Sequence, residues 1–393
     1  MKRKSEILLI YLTGLIQGIV LVTVPAVSSI LTDNNVFGFS DGDYGGLFIP
    51  QVIMAILGAL LGPRFSRRWG LKAVYQAGLI FNICAMSLIG ASVWFLGNSD
   101  IAYMFVLTGM AAVGAGFGAT LPMINVYAER FFPDKSATAL TGLHTLLGTG
   151  TALAPLIVAV LVKQFGWWIL PGSALIVLAV LLAGSFSLPL KGAKSNADKE
   201  RALPEADSLN LAGIWLFIVI VILYGYCETI FATWAIIFLS SERALPPAPA
   251  SYALSAFWAM VTFGRLIVSF LTVVIPAHVI YRILPVMIAI AMWAVTRAET
   301  DIGGIILFGF AGLACSAFFP LSFSFAQKRF SAIAETVSGR LMVSYMAGYG
   351  LASYGIGKVI ESGSFRLGNL YLYSTFVAMG IIILGFMLTR GKA

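Results

Sequence analysis

The sequence predicts an all-α integral membrane protein of twelve transmembrane helices in two pseudo-symmetric six-helix bundles. Three observations carry this. First, the 393 residues are 59% hydrophobic and only 11% charged, against ~25% charged in soluble proteins. Second, the apolar residues fall into twelve runs of about 20 residues or more, the length that crosses a ~30 Å hydrocarbon layer as a helix. Third, the runs divide six and six about one long charged segment, Lys191–Pro204.

The elements follow in order. Spans are expected at 7–31, 44–65, 71–95, 101–128, 136–163 and 167–188, then at 209–239, 249–273, 277–296, 302–327, 332–358 and 367–389. They must be helices, because hydrocarbon offers no partner to an unpaired backbone N–H or C=O. The first run is too long for the apolar core of a signal peptide and is read as a span. The loop Thr32–Asp43 is acidic and turn-rich. The bundles are expected at 1–190 and 209–393, with a linker at 191–208. Asp207 and Ser208 offer an N-cap to the seventh helix.

A net charge of +8 does not call for nucleic acid, because the basic residues follow the loops. They crowd at Lys2–Lys4, Arg64–Lys72, Arg130 and Lys135, Lys191–Arg201, Arg282, Lys328 and Arg329, and Arg390 and Lys392. The intervening loops hold few. The positive-inside rule then puts both termini and the linker in the cytoplasm, consistent with a plasma (bacterial inner) membrane protein. The lipid bilayer is the expected surrounding, and the chain is expected to act as a monomer. Cys84, Cys227 and Cys315 lie in apolar runs, with neither disulfide nor metal spacing. No cofactor is expected beyond a proton gradient.

An internal repeat supports the division. Ala119-Thr-Leu-Pro122 through Ala128 in span 4 reads against Ala317-Phe-Phe-Pro320 through Ala326 in span 10, and Gly148-Thr-Gly150 in span 5 against Gly348-Tyr-Gly350 in span 11. Duplicated six-helix halves around a midplane site, opened alternately to each side, are a known transporter plan. The glycines at 114, 116, 118, 142, 148 and 150 suit helices that approach closely, whether they pack statically or shift during rocking. Gly114–Gly118 sits mid-span with no strand before it, so it is not a nucleotide-binding loop.

The loop Gly62-Pro-Arg-Phe-Ser-Arg67-Arg68-Trp-Gly70-Leu-Lys72 resembles the signature loop of the major facilitator superfamily. Gly70 and Arg68 fit that pattern, whereas Arg67 stands where the family carries an aspartate. The resemblance implies the major facilitator fold, alternating access and a charged latch at this loop. Two further stretches resemble the fucose–proton symporter branch. One is Gly116, Asn125, Leu140, His144, Gly148, Gly150 and Pro155. The other is Tyr224, Gly225, Glu228 and Trp234, followed by Phe257-Trp258 and Gly264-Arg265. That likeness implies monosaccharide uptake driven by protons. The acidic residues which the fucose permease carries in its first and fourth helices are absent, since span 1 offers Gln17 and Thr23 and span 4 offers Thr120.

Glu228 is the only acidic residue deep within an apolar run. A carboxylate in hydrocarbon costs several kcal/mol, so such residues face a bundle interior or a wet cavity. A carboxyl group withdrawn from water can bind and release a proton near neutral pH. Glu228 is therefore the candidate for proton coupling and substrate contact, with structural pairing to another helix as the rival reading. Gln17 and Asn125 supply amides that donate and accept hydrogen bonds, as sugar hydroxyls require. Tyr224, Trp234, Trp258, Tyr345 and Tyr349 supply rings that stack on sugar faces. His144 is a further candidate substrate contact or a packed neutral histidine. Arg265 and Arg340 either snorkel to the interface or serve as gates, and Arg67, Arg68, Glu129, Arg130 and Glu335 complete the expected gating charges.

No nucleotide loop or catalytic constellation is visible, which argues against an enzyme or an ATP-driven pump. The expected function is secondary transport of a small polar solute. Export of amphipathic or cationic compounds, and a non-transporting receptor or scaffold, are the rivals.

Overall fold

A computed structural model describes residues 2–190 and 211–390. The predicted linker at 191–208, including the proposed cap at Asp207 and Ser208, lies outside the described residues. Every regular element among them is helical. The chain splits into two units, Met1–Glu200 and Arg201–Ala393.

Unit 1 comprises α1 (Lys2–Ala26), α2 (Ser28–Leu31), α3 (Asp41–Gly46), α4 (Phe48–Trp69), α5 (Leu71–Ala91), α6 (Ser99–Phe131), α7 (Ser136–Phe165) and α8 (Ile169–Ser187). Its breaks have local causes. Gly70 and Gly166 adopt φ of 85° and 80° at the ends of α4 and α7, a conformation that a β-carbon disfavours. Ser40 and Asp43 form a capping box that starts α3, so the tail of the expected outer loop is already helical.

Unit 2 comprises α9 (Leu211–Ile237), α10 (Pro247–Val274), α11 (Ala277–Val295), α12 (Asp301–Cys315), α13 (Phe318–Arg329), α14 (Ala334–Gly350), α15 (Ile356–Glu361) and α16 (Leu367–Thr389). Here the expected continuity fails twice. Span 10 is split between α12 and α13, and span 11 is interrupted by a π-helical turn at Leu351–Gly355. A second π turn, Phe238–Glu242, extends α9.

Eleven helical segments among the described residues, with α12 and α13 together forming Asp301–Arg329, are long and apolar enough to cross a membrane. The segment expected as the eleventh span is helical too. It is less apolar, carrying Arg340, Ser344, Tyr345, Tyr349, Ser353 and Tyr354 among several glycines.

Each unit is knitted internally, and the close contacts of one match those of the other. In unit 1, a side chain on Gly150 would begin 1.9 Å from the Leu15 carbonyl oxygen, and one on Gly18 would begin 2.0 Å from that of Leu147. In unit 2, Gly348 meets the Ile222 carbonyl at 2.1 Å and Gly225 meets that of Tyr345 at 2.6 Å. The pair α4–α6 closes through Gly114 on Gln51 at 2.1 Å, and α10–α12 through Gly312 on Phe257 at 2.0 Å. Each distance is below van der Waals contact, so only glycine permits these helices to lie so close.

The positions 114 and 312, 147 and 345, and 150 and 348 are all separated by 198 residues, as are Pro122 and Pro320. The glycine register is therefore Gly150 with Gly348. The expected match of Gly148 to Gly348 is corrected by two residues, because a short Gly-x-Gly string can be aligned either way and only the packing distinguishes them.

Candidate functional site

The site in unit 2 grows from a defect in a helix. Pro320 has no N–H to offer the carbonyl four residues earlier, and its ring crowds that carbonyl. That residue is Ser316, and the helix is broken at Ser316 and Ala317, between α12 and α13. In a membrane-spanning segment the freed carbonyls must find donors inside the protein. Two side chains supply them. Arg265 on α10 donates from Nε to Ser316 O at 3.1 Å, and Tyr224 on α9 donates from its hydroxyl to Cys315 O at 2.6 Å. Arg265 is thus turned inward rather than snorkelling.

Glu228 lies one turn beyond Tyr224 on α9 and is 4% exposed. It accepts a hydrogen bond from the Tyr345 hydroxyl on α14, Oη to Oε2 at 2.6 Å. Arg265 is the cation whose charge reaches it, yet Glu228 makes no ion pair with any described residue.

Around these groups the rings form a continuous aromatic wall. Tyr224 stacks on Phe319 with an interplanar angle of 6°, and Phe319 contacts Tyr345 at a centroid distance of 4.8 Å. A carboxyl, a guanidinium and two phenols therefore meet at the point where one helix is broken. Such a cluster can exchange a proton and can hydrogen-bond a hydroxyl-bearing solute.

The remaining expected residues of unit 2 are placed as follows. Trp234 is fully buried and donates its indole N–H to Ala352 O at 3.1 Å, within the π turn of span 11. Trp258 packs edge-on to Phe257, and its buried indole N–H has no partner. Tyr349 is half-buried, and its carbonyl accepts from Ser353 Oγ at 2.9 Å. Arg340 is exposed on α14. Glu335 begins the same helix, and its side chain lies outside the described set.

Unit 1 holds a separate cluster with no formal charge. Gln17 on α1 accepts at Oε1 from Asn82 Nδ2 on α5 at 2.7 Å, both fully buried. Gln17 Nε2, Asn82 Oδ1, Thr120 Oγ1 and Asn125 Oδ1 are buried without a partner. Buried polar atoms left unpaired cost about 1–3 kcal/mol each. Asn82 is not among the residues expected from the sequence. Its signal there is an amide within the apolar run 71–95, less conspicuous than a carboxylate would be.

His144 is half-buried on α7. Arg67 and Arg68 are exposed at the end of α4, with Arg68 over the Trp69 ring at 5.9 Å. Glu129 and Arg130 are half-buried at the end of α6. Near them lies an unforeseen buried acid, Glu6, whose charge and that of Arg130 both act on Tyr127.

Residues 7–353 match the family model described as the Major Facilitator Superfamily. The chain belongs to this superfamily.

Among solved structures, a mutant of the nucleoside transporter NupG is similar at a TM-score of 0.78 and 15% identity, covering 98% of this chain and 100% of that one. The unmutated NupG gives 0.72 at 16% identity, covering 98% and 99%. A D-xylose–proton symporter gives 0.73 at 15% identity, covering 99% and 98%. At such identity the likeness establishes the fold. No curated protein matches. This superfamily member is an integral membrane transporter, not an enzyme.

Proposed function

We propose that this superfamily member carries a small, neutral, hydroxyl-rich solute, of the monosaccharide class, coupled to protons through Glu228. The observation that carries the reading is the Glu228 environment. A buried carboxyl with a phenol donor and no ion pair sits where deprotonation and protonation have different costs, and such groups mark proton relays in transporters. The amides Gln17, Asn82 and Asn125 and the free indole of Trp258 are neutral donors and acceptors suited to hydroxyls. Tyr224, Tyr345 and Tyr349 are the proposed ring contacts in unit 2, and the Trp234 indole is engaged by the Ala352 carbonyl.

Both kinds of structural neighbour are named for hydroxyl-rich cargo, nucleosides and D-xylose, which supports the class. Likeness over 113–160 and 220–266 to the fucose–proton symporter branch supports the monosaccharide reading. Arg67, Arg68, Glu129, Arg130, Glu335 and Arg340 are proposed gating charges, and both termini are proposed to be cytoplasmic.

The test is reconstitution into liposomes with an imposed pH gradient and labelled neutral sugars and nucleosides. Wild-type protein should accumulate at least one. Glu228→Gln should lose gradient-driven accumulation while keeping counterflow exchange. Undiminished accumulation in that variant removes Glu228 from coupling, and uptake restricted to organic cations or acids removes the solute class.

A further inference from the structure

The last two turns of α4 carry three arginines with nothing to pair them. Arg64, Arg67 and Arg68 are all exposed, and none makes a hydrogen bond or ion pair with any described residue. An apolar ledge stands among them. The rings of Phe65 and Trp69 stack at 4.8 Å with an interplanar angle of 18°, and they belong to residues 38% and 59% exposed. Arg68 lies over the Trp69 ring at 5.9 Å. The turn that follows is fixed. Gly70 takes it at φ 85°, and Lys72 Nζ beyond it donates to the Leu188 carbonyl at 2.8 Å.

The duplicated frame shows that folding does not call for this charge. Gly114 meets the Gln51 carbonyl and Gly312 meets that of Phe257, while Gly58 meets Gly118 and Gly264 meets Ser316. Both comparisons set α4 against α10 at a separation of 206 residues. On that register Arg64, Arg67 and Arg68 stand at the places of Phe270, Val273 and Val274, which are 75%, 83% and 77% exposed. The same helix end accepts apolar side chains in unit 2, so the three guanidiniums of unit 1 answer to a partner rather than to packing.

We infer that the end of α4 is a docking surface for the headgroups of anionic glycerophospholipids. The location and the charge together name the partner. Trp69 closes the membrane-crossing segment Asp41–Trp69, and a basic cluster just past such a segment attracts anionic lipid. Guanidinium groups present the paired donors that phosphate oxygens accept, and exposed aromatic rings favour headgroup depth. The linker at 191–208 is a weaker candidate, because its four acidic and four basic residues leave it without net charge. A free phosphate would use the arginines but gain nothing from Phe65 and Trp69. This inference gives Arg67 and Arg68, proposed above as gating charges, a ligand outside the protein. It is independent of the transported solute and of Glu228.

The test uses the full chain purified in detergent and stripped of lipid. Thermal unfolding is followed with added phosphatidylglycerol, with phosphatidylethanolamine, and with inorganic phosphate alone. Phosphatidylglycerol should stabilise the wild type more than the zwitterionic lipid, and phosphate alone should not reproduce the shift. Arg64→Gln, Arg67→Gln and Arg68→Gln should each weaken apparent phosphatidylglycerol affinity about fivefold, and the triple variant about a hundredfold. The triple change to lysine keeps the charge and should keep binding, whereas Trp69→Ala should weaken it with the charge intact. Arg366→Gln, at an exposed arginine before α16, should leave it unchanged.

Wild-type affinity in the triple glutamine variant overturns the surface, even where transport is altered, since the arginines would then act as gates alone. An equal response to phosphate alone overturns the lipid as the partner. Native mass spectrometry of the wild type needs no variant to fold and should show phosphatidylglycerol retained over phosphatidylethanolamine. Equal retention of the two lipids there would also overturn the inference.

Discussion

The bond between Arg265 and the Ser316 carbonyl exists because Pro320 cannot make it, and this can be tested directly. Replacing Arg265 by Met keeps much of its length and removes the donor. The Ser316 carbonyl, met by Nε at 3.1 Å, then has no partner inside the bundle. Side-chain hydrogen bonds between membrane helices average about 0.6 kcal/mol and reach about 1.7. A charged donor belongs at the upper end, so the expected loss is about 1–2 kcal/mol. Pro320→Ala supplies the missing N–H four residues after Ser316 and removes the ring that crowds it.

In the Pro320→Ala background, Arg265→Met should therefore cost about 1 kcal/mol less than in the wild type, a coupling that a double-mutant cycle isolates. Unfolding in mixed detergent micelles, read by tryptophan fluorescence, measures all four proteins. Equal cost of Arg265→Met in the two backgrounds would refute the reasoning, and Arg265 would then be held by charge alone.

Other outcomes follow from the same distances. Tyr345→Phe removes the hydroxyl bonded to Glu228 Oε2 and should destabilise by about 1–3 kcal/mol; combined with Glu228→Gln the loss should be less than additive, in a thermal-unfolding cycle. Gly150→Val and Gly348→Val place carbon about 2 Å from a backbone carbonyl and should both abolish folded yield, whereas Gly355→Ala, with nothing within 4 Å, should match the wild type in detergent size-exclusion profiles. Asn82→Ala strands Gln17 and should cost about 1–2 kcal/mol, part of which Gln17→Ala in addition should restore.

Much of this molecule was legible because hydrocarbon thickness fixes helix length. The apolar runs gave the spans to within a few residues, and a lone carboxylate in one of them marked Glu228. What escaped were features set by contacts distant in sequence. Tyr345 bonds Glu228 across 117 residues and Trp234 bonds Ala352 across 118, and no helical period reveals either. Pro320 was visible as half of a repeat, but not as the cause of a break. Pro122 holds the equivalent place in α6, which runs unbroken from Ser99 to Phe131. The π turn at Leu351–Gly355 left no signal, because glycine and serine there fit a straight helix equally well.

The two prolines sit at matching positions, but only the one in unit 2 stands at a broken helix beside charged side chains. The matching contacts pair Gly18 with Gly225 and Gly58 with Gly264, since Gly58 meets Gly118 on α6 and Gly264 meets Ser316, 198 residues further on. Counting along from those glycines, Gln17 takes the place of Tyr224 and Ala59 the place of Arg265. Unit 1 therefore has no guanidinium at the place of Arg265, whereas Gln17, at the place of Tyr224, accepts from Asn82 at Oε1 and keeps an unpaired amide donor. Pro122 withholds an N–H from the Gly118 carbonyl as Pro320 does from that of Ser316, yet α6 stays closed around it. In unit 2 both donors are present, the helix opens, and the side chains that satisfy it stand beside a buried acid. Duplication supplied the same frame twice, and the two copies differ at the positions of Tyr224 and Arg265, whose side chains bond the carbonyls at the break in unit 2.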